Sequence, residues 1–401
     1  MRPGRCILPA ALALAAASPL SATDRMDFWE HPRHGANSFN EAVPDQAYFD
    51  ALAATGATWV RLTFSKWHGE GRDFLIGNAD RYEGIPERDL EQLKLALDRA
   101  DAAGLKAVVV PLSLPGARWI QQNGDQADER LWSDFAYWDQ AARFWTDLAT
   151  VLKNHPAVAA YNLLNEPYPE RPAGLAVKDT QSTISAWERE QLGTPRDLAA
   201  FYEKLVAAVR SVDTVTPIMV DAGMYAGAQR LAAWDAPLAD RRVLYAVHMY
   251  VPWQATSRSN QEAGFVRRYP GFEALYDGRR QTWDRDAVKA HLALAFDWAE
   301  AHGLPSSRIV VSEFGCVRRW GDCGTYLDDV ISAADARGGH WAFYTFRPDE
   351  WDGMDYELPA TVTPEQYYWR REQGTMDTLP RDGALMDLLR TRLRGESPDG
   401  P

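Results

Sequence analysis

Two segments of the chain end an apolar run on a glutamate: Tyr161-Asn162-Leu163-Leu164-Asn165-Glu166-Pro167 and Val310-Val311-Ser312-Glu313-Phe314-Gly315. Short apolar runs rich in β-branched and aromatic side chains read as buried strands, so each acid is expected where a strand leaves the core. Two carboxyl groups in such positions can divide one task between them. Cleaving an acetal with retention needs one carboxylate to attack the anomeric carbon and one carboxylic acid to protonate the leaving oxygen, about 5 to 5.5 Å apart. A single strand-end glutamate is as readily half of a structural ion pair, so the joint occurrence of the two carries the inference.

Other polar residues punctuate the same kind of run: Arg61 in Trp59-Val60-Arg61-Leu62, and His248 and Tyr250 in His248-Met249-Tyr250. Taken alone, Arg61 has an alternative reading as a barrel-floor ion pair and His248 one as a satisfied buried histidine. In this ordered set the chain resembles glycoside hydrolase family five and its wider clan of (β/α)8 retaining glycosidases, from about residue 35 to residue 346. The clan carries an Asn-Glu pair after the fourth strand, matched by Asn165 and Glu166, and a lone Glu after the seventh, matched by Glu313. Arg61 matches its second-strand arginine, and His248 with Tyr250 its His-x-Tyr ending of the sixth strand.

The resemblance implies a role for each residue. Glu313 is the expected nucleophile, kept ionised by Arg61 and aimed by a hydrogen bond from Tyr250. Glu166 is the expected general acid/base, kept protonated by burial and by the Glu313 charge. Asn165 would donate to the sugar 2-hydroxyl, and His248 would orient the substrate or Glu166. Two departures concern substrate contacts: Ser113 stands near where many relatives carry histidine, and Tyr344 stands where a tryptophan platform is usual. No cofactor or metal is implied. The expected substrate is a β-1,4-glucan, with β-mannan, small β-glucosides and transglycosylation as alternatives on the same machinery. A non-catalytic carbohydrate-binding barrel is the reading from another class, and the intact pair of acids argues against it.

These residues need a scaffold that brings several strand ends together. Apolar runs at 35–39, 59–64, 106–112, 158–164, 217–222, 243–250, 309–314 and 340–346 alternate with helical patterns, as in a parallel sheet with crossover helices. Eight such pairs predict an α/β fold, a single (β/α)8 TIM barrel. Pro86 opens one helix, with Leu90, Leu93, Leu97 and Ala100 on one face and Gly104 at its end. Thr194 and Pro195 are expected to open another, with Leu198, Phe201, Tyr202, Leu205 and Val209 as its buried stripe. Helix-to-strand links are short, whereas 65–84, 168–193, 251–283 and 347–382 are long strand-to-helix stretches that would gather at the C-terminal mouth of a barrel. Of the 16 tryptophans, Trp67, Trp119, Trp253, Trp320 and Trp351 fall on or beside the predicted mouth loops. Trp119 is the expected sugar platform, and several of the others are expected to anchor loops.

Composition restricts the partners. The chain has 401 residues and a formal net charge of -13, which repels nucleic acid and anionic membranes and suits a neutral substrate. No Gly-rich phosphate loop follows the late strands, which argues against a phosphate-handling barrel. Arg2, Arg5, the apolar run Cys6 to Ala17 and the small residues up to Ala22 read as an export leader over 1–22. The catalytic domain is then expected over 23–394, with a frayed tail at 395–401 and a periplasmic or secreted destination. Nothing after the leader is long and apolar enough to span a membrane. In an oxidising compartment the remaining cysteines, Cys316 and Cys323, are expected to form a disulfide.

Overall fold

The computed structural model describes residues 25–262, 267–348 and 352–396; the expected leader lies outside them. Eight parallel strands close into a barrel: β1 (His34–Asn37), β2 (Trp59–Thr63), β3 (Lys106–Val110), β4 (Val158–Asn162), β5 (Ile218–Asp221), β6 (Val243–Met249), β9 (Ile309–Phe314) and β10 (His340–Phe343). Each neighbours the next in chain order, and β10 returns to β1. The remaining two, β7 (Phe272–Tyr276) and β8 (Arg279–Trp283), form a separate antiparallel hairpin. All eight apolar runs became barrel strands. Most end one to three residues early, because the residues at the mouth leave the ladder for the loops.

The two-residue period of a strand explains how the interior is layered. Trp59, Val108, Ala160, Met219, Ala246, Val310 and Ala342 cluster as an apolar floor. Two residues further along their strands stand Arg61, Asn162, Asp221, His248 and Tyr344, and Asn37 stands two beyond Gly35. The apolar layer thus hands over to a polar layer in a single step, which concentrates chemistry at the C-terminal mouth. The intervening residues face outward and pack under the helices: Val60, Val109, Tyr161, Val220, Val247 and Val311 all belong to the main core.

The opposite end is stoppered by the short 3-10 segment Arg25–Trp29, where Trp29 meets Trp59 edge-on at 5.3 Å and donates from Nε1 to the Ala159 carbonyl at 3.1 Å. Around the barrel, helices start on side-chain caps: Asp45, Asp134 and Asp284 each accept a backbone N–H of the first turn. Helix Leu198–Arg210 buries the expected stripe but begins later than the sequence suggests. Asp197, not Thr194, caps it by accepting from Ala200 N, because Thr194 to Arg196 form the turn from the preceding helix Gln181–Glu190. That helix, and Pro364–Glu372 with its Thr363 capping box, lie inside stretches expected to be loops. Among the described residues no helix is long and apolar enough to cross a membrane.

Two local devices fix the mouth loops. Cys316 and Cys323 are disulfide-bonded, with Cα atoms 5.7 Å apart, tying the end of β9 to the start of helix Cys323–Asp335. The hairpin turns at Asp277-Gly278, with φ of 48° and 70°, the left-handed pair that a tight two-residue turn requires. Its register runs from Phe272 opposite Trp283 to Tyr276 opposite Arg279. Tyr276 Oη lies 2.7 Å from His291 Nδ1 on helix Arg285–Ala301, and Trp283 is buried, so the hairpin is seated on the barrel wall.

The close approach of β1 to β2 depends on Gly35. A Cβ there would lie 2.4 Å from the Trp59 carbonyl oxygen and 2.8 Å from its ring, and backbone cannot give way as a flexible side chain can. Gly35→Ala is therefore expected to cost about 1–3 kcal/mol by overpacking, read as a lower urea midpoint at unchanged slope. A variant as stable as the parent would contradict this account of the β1–β2 contact.

Candidate active site

The polar layer is organised by Arg61. Its fully buried guanidinium has an acceptor for each of its five N–H groups. Nε donates to Asn162 Oδ1 at 2.9 Å, Nη1 to Glu313 Oε1 and to Asn37 Oδ1 at 3.3 Å, and Nη2 to Asn165 Oδ1 at 2.8 Å and to Asp221 Oδ2 at 3.3 Å. One cation thereby orients side chains from β1, β4, β5 and β9. Because Asn165 gives its oxygen to Arg61, its amide N–H groups remain for the cleft it lines.

Glu313 reaches this layer through an irregularity in its strand. Val247 pairs with Val311, but His248 pairs with Glu313, so Ser312 is an extra residue bulged out of the β6–β9 ladder. Val310 points into the floor, and without the bulge the next inward position would be residue 312. The Ser312 carbonyl is held by Asn37 Nδ2 at 2.8 Å. Tyr250 donates from Oη to Glu313 Oε2 at 2.9 Å, so both carboxylate oxygens are held.

Glu166 lies beyond the end of β4 with φ of 49°, a left-handed conformation that costs a non-glycine residue about 1–3 kcal/mol. Asp221 Oδ2 accepts the Glu166 backbone N–H at 3.0 Å and helps hold it there. The side chain, 26% exposed, meets His248 Nδ1 at 2.7 Å. His248 also lies 3.7 Å from Glu313 Oε2 and 3.6 Å from Asp221 Oδ2. An oxygen of Glu166, a ring nitrogen of His248 and an oxygen of Glu313 all fall within 4.8 Å of one another.

The two glutamates share this layer but not their surroundings. Burial raises Glu166 above the usual carboxylate range; the His248 contact opposes the rise, and the charges of Glu313 and Asp221 add to it. Burial acts against a charge on His248, yet the carboxylates of Glu313, Glu166 and Asp221 outweigh it and raise the imidazole above its ordinary value. Burial, reinforced by the Glu313 charge, pushes the Tyr250 phenol well up, so it stays a donor. Glu313 has a permanent cation on one oxygen and a phenol on the other, whereas Glu166 has a histidine and a view of the cleft.

The trio has the spacing of a metal-ligand set, but its fit to a cation is poor. The Arg61 guanidinium already puts a fixed positive charge on Glu313, and the Nδ1 of His248 is engaged by Glu166. Both Glu313 oxygens and His248 Nδ1 are thus engaged within the protein, and His248 Nε2 is the ring atom left without a hydrogen-bond partner.

A cleft of about 770 Å³ opens over these groups. Trp119, Trp253 and Tyr344 line it together with Asn165, Glu166, His248, Tyr250 and Glu313. Tyr344 sits 6.4 Å from the Tyr250 ring and 5.6 Å from Phe39, and Trp119 stands edge-on to Phe39 at 5.5 Å. Ser113 is buried away from the cleft, and its Oγ accepts the Trp119 backbone N–H at 2.9 Å. Trp67 packs into Phe64 and Phe74, and Trp320 donates to the Arg267 carbonyl at 2.7 Å; both are buried loop anchors. Trp351 lies outside the described residues.

Two features of the site were absent from the sequence reading. Asp221 joins Arg61, Asn162 and the Glu166 backbone, and it closes the apolar run Ile218-Met219-Val220, the same signal that singled out the two glutamates. Tyr168 and Tyr225, 4.7 Å apart with Arg171 against both rings, form an aromatic wall beside Glu166. Only folding brings their loops together.

Sequence comparison finds no match among curated proteins. Solved structures match over nearly the full length. One described as an endoglucanase superposes with a TM-score of 0.62 at 16% identity, over 93% of this chain and 100% of the other. Cel5A of Thermotoga maritima, in a mutant form complexed with cellobiose, gives 0.63 at 15% identity over 92% and 99%. The cellulose synthase subunit Z of Clostridioides difficile gives 0.58 at 14% identity over 89% and 99%. At these identities the likeness speaks for the barrel. Residues 24–350 match the sequence profile described as Cellulase (glycosyl hydrolase family 5), which spans the barrel from its stopper to the last strand. The chain belongs to glycoside hydrolase family 5.

Proposed function

We propose that this enzyme hydrolyses β-1,4-linked glucans with retention of configuration, using Glu313 as nucleophile and Glu166 as general acid/base. The observation that carries the reading is the approach of the two carboxyl groups, with oxygens within 4.8 Å. That spacing suits a sugar ring attacked directly by one carboxylate and is too short for the interposed water that inversion needs, where the carboxyls stand about 6.5–9.5 Å apart. Support for a glucan comes from the family and from relatives described as endoglucanases and as complexed with cellobiose.

The two environments support this division of roles. Arg61 and Tyr250 each hold one oxygen of Glu313 and so orient the carboxyl whose oxygen attacks the anomeric carbon. As the bond to the leaving oxygen breaks, Glu166, raised by burial, gives that oxygen its proton. The resulting glycosyl ester is then attacked by water, whose proton Glu166 takes as the Glu313 carboxylate departs. Two inversions at one carbon return the β configuration. The amide N–H groups of Asn165 suit the 2-hydroxyl, where hydrogen bonds strengthen as the ring becomes oxocarbenium-like.

Azide separates the two roles. Glu166→Ala is expected to lose about 10²- to 10⁴-fold on unactivated glucans, to form the glycosyl-enzyme on dinitrophenyl glycosides, and to recover turnover with azide as the β-azide. Glu313→Ala is expected to be inactive on both substrate types, with azide giving the α-product. Proton NMR of the adducts reads the outcome, and exchanged anomers would reverse the assignment.

The acid role also has a sign in pH. Activity requires protonated Glu166, so it falls as pH rises through the raised value of that carboxyl. His248 opposes that rise, so His248→Asn is expected to move the basic limb of kcat/KM to higher pH. A limb displaced to lower pH would overturn the arrangement.

A further inference from the structure

The cleft does not run out evenly on both sides of the reacting pair. Tyr344, Phe39 and Trp119 flank it on the side of β10, β1 and β3. The other half lies over β5 and β6, where its lining includes two segments that meet. The hairpin tip is hydrogen-bonded to the loop that follows Glu166: Gly278 N donates to the Lys178 carbonyl at 2.8 Å, Asp277 N to that of Val177 at 3.4 Å, and Gln181 N to Asp277 Oδ1 at 2.7 Å. A Cβ on Gly278 would stand 2.5 Å from Thr180 Cγ2, so the two loops touch without a gap. Arg230, buried beneath, binds the Gln181 side chain. Val177 and Lys178 on one bank and Leu275 and Tyr276 on the other all line the cleft, so its two banks are joined across this bridge.

On this side the cleft presents large apolar side chains that folding has left uncovered: Tyr225 is 46% exposed, Leu275 52% and Trp253 57%. Tyr225 is held there at a conformational cost, since Met224, Tyr225 and Ala226 are three consecutive non-glycine residues with φ of 48°, 59° and 57°. Left-handed residues in series cost about 1–2 kcal/mol each, and strain of this kind persists where surrounding structure imposes it. A flat aromatic face beside the acid suits the apolar face of a sugar ring.

We propose that the half of the cleft over β5 and β6 is a closed chamber for a leaving group of one or two sugar rings, so that the enzyme cuts near the reducing end of its substrate and not inside a long polymer. The proposal rests on the function proposed above, which puts the ring under attack on the Tyr344 and Asn165 side and the leaving group beyond Glu166. An open groove would let a chain continue past the bond in both directions. Here the bridge between 177–181 and the hairpin tip stops it on the leaving-group side.

The same chamber must receive any sugar that takes the place of water in the second step. There the acceptor hydroxyl oxygen bonds to the anomeric carbon, the ester bond to Glu313 breaks, and Glu166 takes the hydroxyl proton. The test loads the full-length enzyme with 2,4-dinitrophenyl 2-deoxy-2-fluoro-β-cellobioside, follows loading by intact mass, and then times the return of activity with cellobiose or cellopentaose as acceptor. Cellobiose is expected to reactivate at least about tenfold faster than cellopentaose, because only the shorter acceptor fits. Asp277→Ala, which removes the acceptor for Gln181 N and lies outside the catalytic groups, is expected to shrink that ratio. Loading followed by equal reactivation with the two acceptors would overturn the closed chamber alone. Failure to load Glu313 would overturn the glucan reading and the chamber with it.

Discussion

A single buried cation organises the mouth of this barrel. The Arg61 guanidinium carries five N–H groups in one plane, and each finds an oxygen on a different side chain. Removing such a group from water is costly, and the cost is offset only while all of its partners stay in place. Asn37, Asn162, Asn165, Asp221 and Glu313 are thus constrained together, although they come from four separate stretches of chain. An ammonium at this position would keep the charge but lose the fork that holds several acceptors at set angles.

From that centre the two glutamates diverge. Glu313 is bound to the cation directly, and Glu166 is reached only through intermediaries: Asp221 fixes its backbone, and His248 faces its carboxyl. Asp221 therefore serves both sides, binding the cation with the same oxygen that accepts from Glu166 N. The two acids thus lie close together with unequal access to positive charge, and burial raises the Glu166 carboxyl. The strained backbone at Glu166 is tolerable because these contacts over-determine it.

Much of this was legible in the sequence because the barrel obeys a simple rule. Apolar runs of strand length alternating with helical patterns located all eight strands, and polar residues within or just beyond four of them supplied Arg61, Glu166, His248 and Glu313. Asp221 carried the same signal and needed only the same rule applied at β5. The hairpin was readable too, since Asp277-Gly278 is the strongest short-range mark of a tight turn, but its strands are polar and half-exposed and so resemble a loop. The start of helix Leu198–Arg210 was misplaced because Thr194-Pro195 has the grammar of a helix opening, while Asp197 holds the better acceptor. Contacts between loops, such as Tyr168 with Tyr225 or the hairpin with 177–181, leave no local trace, since each partner is set by a different strand.

The bulge at Ser312 has a consequence for how this chain can vary. Elsewhere around the mouth, loops can lengthen or shorten without disturbing the strands beneath them. Between Val310 and Glu313 the number of residues is itself information. Deleting one would turn the glutamate to the outer face and leave Arg61 with an unmatched donor, even with every functional side chain still present in the chain. An alignment that slides a gap across this stretch would preserve the letters and lose the geometry, so a relative should be judged by the spacing from its floor residue to its acid as well as by the acid.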